Sequence, residues 1–270
     1  MTAAADGAPE LPPAFTVVAL EEVESTNLEA RRLAEAGAPD GTLVIASRQT
    51  AGRGRQGRQW LSPVGNLYMS LLLRPQVPIG LAAQLSLVSG LAMADAVAAI
   101  LPAGSGVRPA VKWPNDLLLA GEGGVGKLSG TLLESGEDAR GLYVIAGIGA
   151  NVRVHPGPTD GVFPPIVLAE QPGAHHLMVR DLVEAFGPAF LNRRSAWMRG
   201  GLAAIREDWL AAAYGIGQTA TVRYGATPVT GRFDSIDDDG SLLLTQPDGS
   251  VRRLAAGEVV FAKPPVTGGA

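Results

Sequence analysis

The stretch VKWPNDLLLAGEGGVGKLSGTLLESGEDARGLYVIAGIGAN, residues 111–151, decides the fold. It holds three strand candidates, near 110–119, 127–134 and 141–149, separated by the turn segments GEGGVG and SGEDAR. Pro114 interrupts or ends the first, because proline has no N–H to donate into a sheet ladder. Lys112 opens KWPNDLLL. Lys127 follows the glycine cluster at the start of the second strand, a position from which its ammonium projects from the edge of the sheet. GIGAN, 147–151, closes the third strand with small residues and an amide. Together these strands predict a sheet face with two ammonium groups and bare backbone.

Working outward, residues 15–20 read as a strand and 25–36 as a helix capped by Ser25 or Thr26, with Glu29 early and Gly37 as the stop. Strands follow at 42–47 and 66–73, then a long helix around 80–101. Residues 178–199 and 202–213 carry helical periodicity. After Tyr214 the texture changes to short β-like runs separated by DDDG and PDG turns, which predicts a small all-β unit, a compact barrel. The expected organisation is a disordered lead at 1–14, one large domain at 15–215 and the β unit at 216–263. Gly215 and Gly217 are hinge candidates, and the KPPVTGGA tail is expected to fray.

Composition removes several classes of function. The chain has 270 residues, 46% of them apolar, a formal charge of −4 and no cysteine. That excludes disulfides, thiolate metal sites and thiol nucleophiles, fits a cytoplasmic protein, and argues against general nucleic-acid binding through a basic surface. The N-terminus lacks the cationic start and apolar run of a secretory signal. The apolar stretch 79–101 is interrupted by Gln84 and Asp95 and reads as a buried helix of a protein that does not enter a membrane.

Against this acidic background stands TAGRGRQGRQW, residues 50–60, with Arg53, Arg55 and Arg58 set among Gly52, Gly54 and Gly57. Arginine forks and pliant backbone suit closure around an anion. Only three of the 22 basic residues are lysine, namely Lys112, Lys127 and Lys263, so each lysine is a candidate for a specific task. Each feature also has a plainer reading. GRGRQGR alone is commonly a solvated basic loop, Ser25-Thr26-Asn27 a helix cap, and GIGAN a tight turn lacking the third glycine of the dinucleotide fingerprint. His155, His175 and His176 read as loop residues, with no spaced carboxylate to complete a metal site.

The order ESTN, QTAGRGRQGRQW, NLYMSLLLRP, VKWPNDLLL, GKLSGTLLE and GIGANV resembles the biotin protein ligases, densely over residues 20–152, and 218–262 resembles that family's SH3-like C-terminal domain. The resemblance implies an α+β fold, a class II synthetase-like mixed β-sheet flanked by helices plus the small barrel. It also implies a two-step reaction: biotin and ATP give biotinyl-5′-AMP, and a lysine of a biotin carrier domain in a biotin-dependent carboxylase then takes the biotin. Mg²⁺ is expected with the ATP.

Carried over residue by residue, the resemblance places Ser25, Thr26 and Gln49 at biotin's ureido ring, with Asn27 also among the biotin-binding residues. Gly130, Gly147 and Gly149 are expected to admit biotin against the backbone, and Gly52 is a further biotin-binding candidate. Arg53 and Lys127 fall at the carboxylate and the reacting phosphate, with Arg55 as the third catalytic candidate. Arg55, Arg58 and Trp60 fall over the adenylate, and Lys112, Asn115 and Asn151 on the phosphate and adenine side. Asp116 is a weak candidate for assisting the metal. Gln56 stands where relatives often have a further arginine. About 14 residues precede the first strand, which leaves no room for the winged helix-turn-helix of relatives that double as repressors, so the expectation is a monofunctional ligase that does not bind DNA. A lipoate or octanoate ligase of the same superfamily and a non-catalytic RNA-binding module are the alternatives, and oligomeric state is open.

Overall fold

The computed structural model describes residues 9–159, 161–223 and 227–261. Its main body is a seven-stranded mixed sheet in the order β1-β2-β3-β7-β6-β5-β4. The strands are β1 (Thr16–Val23), β2 (Thr42–Gln49), β3 (Leu67–Leu73), β4 (Arg108–Lys112), β5 (Asp116–Gly121), β6 (Gly124–Asp138) and β7 (Gly141–Ala150). Only β1 and β2 pair in parallel within it, joined by the crossover helix α1 (Thr26–Glu35); the other neighbours are antiparallel. β3 is buried along its whole length, as its run LYMSLLL requires of a central strand.

Three strand expectations change. The span 110–119 is a hairpin, β4 and β5, turning at Trp113-Pro114-Asn115, because Pro114 ends one ladder and Asp116 opens the next. Ser135–Asp138, expected as turn, extend β6, since each pairs with β7 and only Ala139 and Arg140 turn. Lys127 lies inside β6, opposite Leu118, and not at its start.

One face of the sheet carries α3 (Leu85–Ile100), preceded by the single turn α2 (Ile79–Ala82) and covered by α4 (Val179–Gly200) and α5 (Ala203–Ala212). The stretch Ile79–Ile100 is long and apolar enough to cross a membrane, yet most of it is buried within the protein, which explains why α3 is apolar all round. Residues 9–14, expected in a disordered lead, are ordered against α4. Leu11 packs on the core in space left by Gly187, where a Cβ would stand 2.5 Å from Leu11 Cδ2, and the Glu10 N–H donates to Glu184 Oε1 (2.8 Å). Residues 1–8 and 262–270, including Lys263, lie outside the described residues.

The second sheet is antiparallel, ordered β11-β10-β9-β8-β12, from β8 (Thr219–Arg223), β9 (Val229–Ile236), β10 (Leu242–Thr245), β11 (Val251–Leu254) and β12 (Glu258–Phe261). It shares one hydrophobic core with the main body through Val222, Phe233 and Ile236. Its 237–240 turn is fixed to that body by Gln84 Nε2, which donates to the Asp238 carbonyl, and Trp113 Nε1, which donates to the Gly240 carbonyl, both at 2.9 Å, and by Arg206 on the Asp238 carboxylate. Gly215 (φ 84°) and Gly217 (φ 78°) join the two sheets in left-handed conformations that favour glycine.

Candidate active site

The register of the central strands builds a cavity of about 400 Å³ on the face that α1 and the arginine loop overhang. At one end, α1 begins with Ser25 in the cap position, although its side chain makes no cap bond. The buried residues that follow join a ring of short polar groups. Gln49 Oε1 accepts from the Thr26 N–H (2.9 Å) and from Thr26 Oγ1 (3.1 Å), while Gln49 Nε2 donates to Ser62 Oγ (3.1 Å). Ser70 Oγ, fully buried on β3, lies 2.8 Å from Thr26 Oγ1 and 2.6 Å from Asn27 Oδ1. Each hydroxyl has one proton, so two protons serve three oxygen–oxygen contacts. The ring is one donor short.

The glycines underneath hold the protein's own side chains. Gly147, opposite Ser70, leaves the space of Asn27: a Cβ there would stand 2.0 Å from Asn27 Oδ1. Gly130 and Gly149 are cross-strand partners and form a platform for Trp60, whose indole would meet a Cβ on Gly149 at 2.5 Å. Trp60 Nε1 is buried with no hydrogen-bond partner among the described residues. Gly52 does not line the cavity; it sits at the neck of the loop, where its carbonyl accepts from the Trp60 N–H (2.9 Å).

The other end is cationic. A bulge in the β5–β6 pairing brings Lys127 to Asp116 (Nζ to Oδ1, 2.6 Å), and Lys112 reaches the second oxygen (Nζ to Oδ2, 3.3 Å). Burial would raise the Asp116 carboxyl, but Lys127 and Lys112 outweigh it and hold it below its ordinary value. Lys112 is only 4% exposed, and burial pushes its ammonium down while Asp116 partly restores it. Asp116 thus serves as counter-ion to two lysines. Each Asp116 oxygen carries one lysine contact, and among the described residues no group of three or more His, Asp or Glu gathers to hold a metal.

The arginine loop is tied at three points. Arg53 Nη2 meets Glu134 Oε2 (2.9 Å), Arg55 Nη1 donates to Asn115 Oδ1 (2.9 Å), and Arg58 Nη1 meets Glu258 Oε1 on β12 (2.7 Å). Burial lowers the Arg55 pKa, an effect Asp116 opposes and Arg58 reinforces. Asn115 also donates to the Thr131 carbonyl (2.8 Å), so its amide holds the loop to the hairpin. Asn151, just past β7, lines the cavity beside Lys127, whose carbonyl its amide reaches at 3.3 Å. Ser70, Glu134 and Glu258 were not singled out by sequence. The first two sit inside strands and the third in a distant sheet, so only the folded register brings them to the site.

A mixed sheet thus gathers lysines, a glycine-arginine loop and a set of buried amides and hydroxyls around one cavity, an arrangement suited to a small ligand with a polar end and an anionic end. Residues 19–151 match the Biotin/lipoate A/B protein ligase family and residues 215–262 the biotin protein ligase C terminal domain. The chain is 40% identical over 246 residues to the biotin–[acetyl-CoA-carboxylase] ligase of Paracoccus denitrificans, covering 90% of this chain and 99% of that one. Biotin protein ligase from Aquifex aeolicus in complex with biotin and ATP superposes with a TM-score of 0.74 at 27% identity, over 92% of this chain and 98% of that one. The Leishmania major enzyme in complex with biotinyl-5-AMP gives 0.61 at 31% identity, over 91% and 100%. The chain belongs to the biotin protein ligase family.

Proposed function

We propose that this protein activates biotin with ATP to biotinyl-5′-AMP and transfers the biotin to a lysine of a carboxylase carrier domain. The observation that carries the reading is one cavity with two chemically distinct ends. Of the proton-short ring, Thr26 and Asn27 line the cavity and offer oxygen to an N–H, as a cyclic urea provides, with Ser70 fully buried behind them. The other end sets five cations, Lys112, Lys127, Arg53, Arg55 and Arg58, against three carboxylates, Asp116, Glu134 and Glu258, an excess suited to a carboxylate and phosphates.

In the first step a carboxylate oxygen of biotin attacks the α-phosphorus of ATP and pyrophosphate leaves. Lys127 and Arg53 stabilise the charge that develops between the two anions. Lys112 faces the phosphates, and the loop carrying Arg55 and Arg58 shields the mixed anhydride from water. In the second step a lysine amine of the acceptor attacks the acyl carbon, the amide forms and AMP leaves. Mg²⁺ delivered with ATP would be held chiefly by phosphates and water, with Asp116 the carboxylate at hand once the two lysines turn to the ligand's anions. The fold and the absence of cysteine are those expected of a cytoplasmic enzyme. The test is biotin-dependent exchange of pyrophosphate into ATP, followed by mass spectrometry of a carrier domain incubated with the protein, biotin and MgATP. Exchange that depends on lipoate and ignores biotin overturns the assignment.

A further inference from the structure

Glu134, near the far end of β6, collects three donors. Its Oε2 accepts from Asn27 Nδ2 (2.7 Å) and from Arg53 Nη2 (2.9 Å), and its Oε1 pairs with Arg31 Nη2 (3.4 Å). Its side chain is only 18% exposed. We propose that Glu134 is a positioning residue that joins the polar end of the pocket to the arginine loop, because one carboxylate oxygen holds both the Asn27 amide and the Arg53 guanidinium.

The first half of the argument is donor and acceptor logic. An ionised carboxylate only accepts, so the atom that Asn27 turns toward it must be Nδ2. That forces Oδ1 toward Ser70 and makes the ring short of a donor; with the amide reversed, the ring would be satisfied and would present nothing for a ligand N–H. Glu134 therefore sets which ligand group the polar end accepts. The second half is electrostatic. Arg53 in the resting protein already has an anion, and a ligand carboxylate at the cationic end competes with Glu134 for it. When Arg53 exchanges partners, Glu134 keeps Asn27 and Arg31, so no buried carboxylate is left alone. Glu134 thus holds the loop in place before the ligand arrives and can release it without disturbing the ring.

The choice of biotin as probe rests on the ligase reading; the loop measurement does not. Full-length wild type, Glu134→Gln, Glu134→Ala, Arg53→Gln and Arg31→Ala are treated briefly with trypsin without ligand. Cleavage after residues 55 and 58, which every variant retains, is counted by mass spectrometry, and biotin binding is followed by calorimetry. Glu134→Gln, Glu134→Ala and Arg53→Gln should be cut roughly fivefold faster within the loop, the ratio expected from losing a half-exposed ion pair. Arg31→Ala should be cut like wild type. Glutamine still accepts from Asn27, so Glu134→Gln should bind biotin within roughly threefold of wild type, whereas Glu134→Ala should bind roughly tenfold or more weakly. Wild-type cleavage in Glu134→Gln, or Arg31→Ala cut as fast as Glu134→Gln, overturns the loop half. Equal biotin affinity in Glu134→Gln and Glu134→Ala overturns the Asn27 half. If Glu134→Ala does not fold, Glu134→Gln and Arg53→Gln decide the loop half, and the biotin affinity of Glu134→Gln decides the ring half, a drop of tenfold or more overturning it. Failure of wild type to bind biotin overturns the ligase reading and leaves the cleavage comparison standing.

Discussion

The two ends of the pocket are built by opposite rules. The ring joins the short, buried side chains of Thr26, Asn27 and Ser70 to the half-buried Gln49, on α1, β2 and β3, bonded to one another with no net charge. The cationic end uses long side chains drawn from a loop, a hairpin and, through Glu258, a second sheet, and each arginine or lysine described there is held by a carboxylate or an amide oxygen. Short buried groups cannot change partners without leaving polar atoms unsatisfied. Long charged ones can exchange an internal carboxylate for a ligand anion. Recognition therefore sits where the structure is rigid, and charge stabilisation where partners are exchangeable.

Asp116→Asn breaks the cationic end most severely. It leaves two ammonium groups facing one another, one of them 4% exposed, without their shared counter-ion. Removing one partner of such a buried cluster costs about 3–5 kcal/mol, read as a lower urea midpoint at unchanged slope. An unchanged midpoint would show that the lysines find another anion.

Lys127→Arg keeps the charge and so separates charge from shape. The ammonium fits between Asp116 Oδ1 at 2.6 Å and the Trp60 ring, whose centroid is 5.5 Å away; a planar guanidinium does not. Loss of that contact with the developing charge should slow biotin-dependent pyrophosphate exchange ~100- to 1,000-fold. Activity close to wild type would mean that any cation suffices.

At the polar end the effect should be smaller and of another kind. Ser70→Ala removes one hydroxyl proton and two contacts from the ring, weakening ground state and transition state alike. The KM for biotin should rise about tenfold with kcat little changed. A fall in kcat at constant KM would place Ser70 in the chemistry rather than in recognition.

The same contrast explains what was legible in the sequence. Lys112, Lys127 and the arginine loop stood out because lysine is rare here and arginine among glycines is conspicuous in an acidic chain. Ser70 did not, since a serine within LYMSLLL looks like any strand residue; its role comes from pairing with Gly147 beneath Asn27. Glu134 was hidden beside a segment with turn composition, Ser135–Arg140, most of which pairs with β7. KWPNDLLL revealed its irregularity but not its hairpin, because whether a proline bends a strand or ends it depends on what the next residues pair with. For Asp116 those partners are Lys112 on one side and Gly130 on the other. Asn115, expected at the nucleotide, spends its amide on Arg55 and Thr131, which is geometry that no local pattern encodes.

The finest test of the contrast is the tie between Arg58 and Glu258, the point where the second sheet reaches the loop. The hydrogen bond from Arg58 lowers the Glu258 pKa against the opposing effect of burial, with the Arg58 charge and Lys112 adding to the shift. A carboxylate with a depressed folded-state pKa contributes stability that is fully present above its unfolded value, near 4.5, and is lost as pH falls through the lower folded value. Because the Arg58 side chain is about half exposed, at 48%, the contribution should be only about 0.2–1 kcal/mol. Glu258→Gln should therefore melt slightly below wild type at pH 7, and the gap should close as the pH is taken below 4.5. Combined with Arg58→Gln in a double-mutant cycle, the coupling should follow the same window and shrink with added salt. A gap that persists at the acid end would mean that Glu258 acts through packing and not through charge, and the cationic end would then be less exchangeable than its geometry indicates.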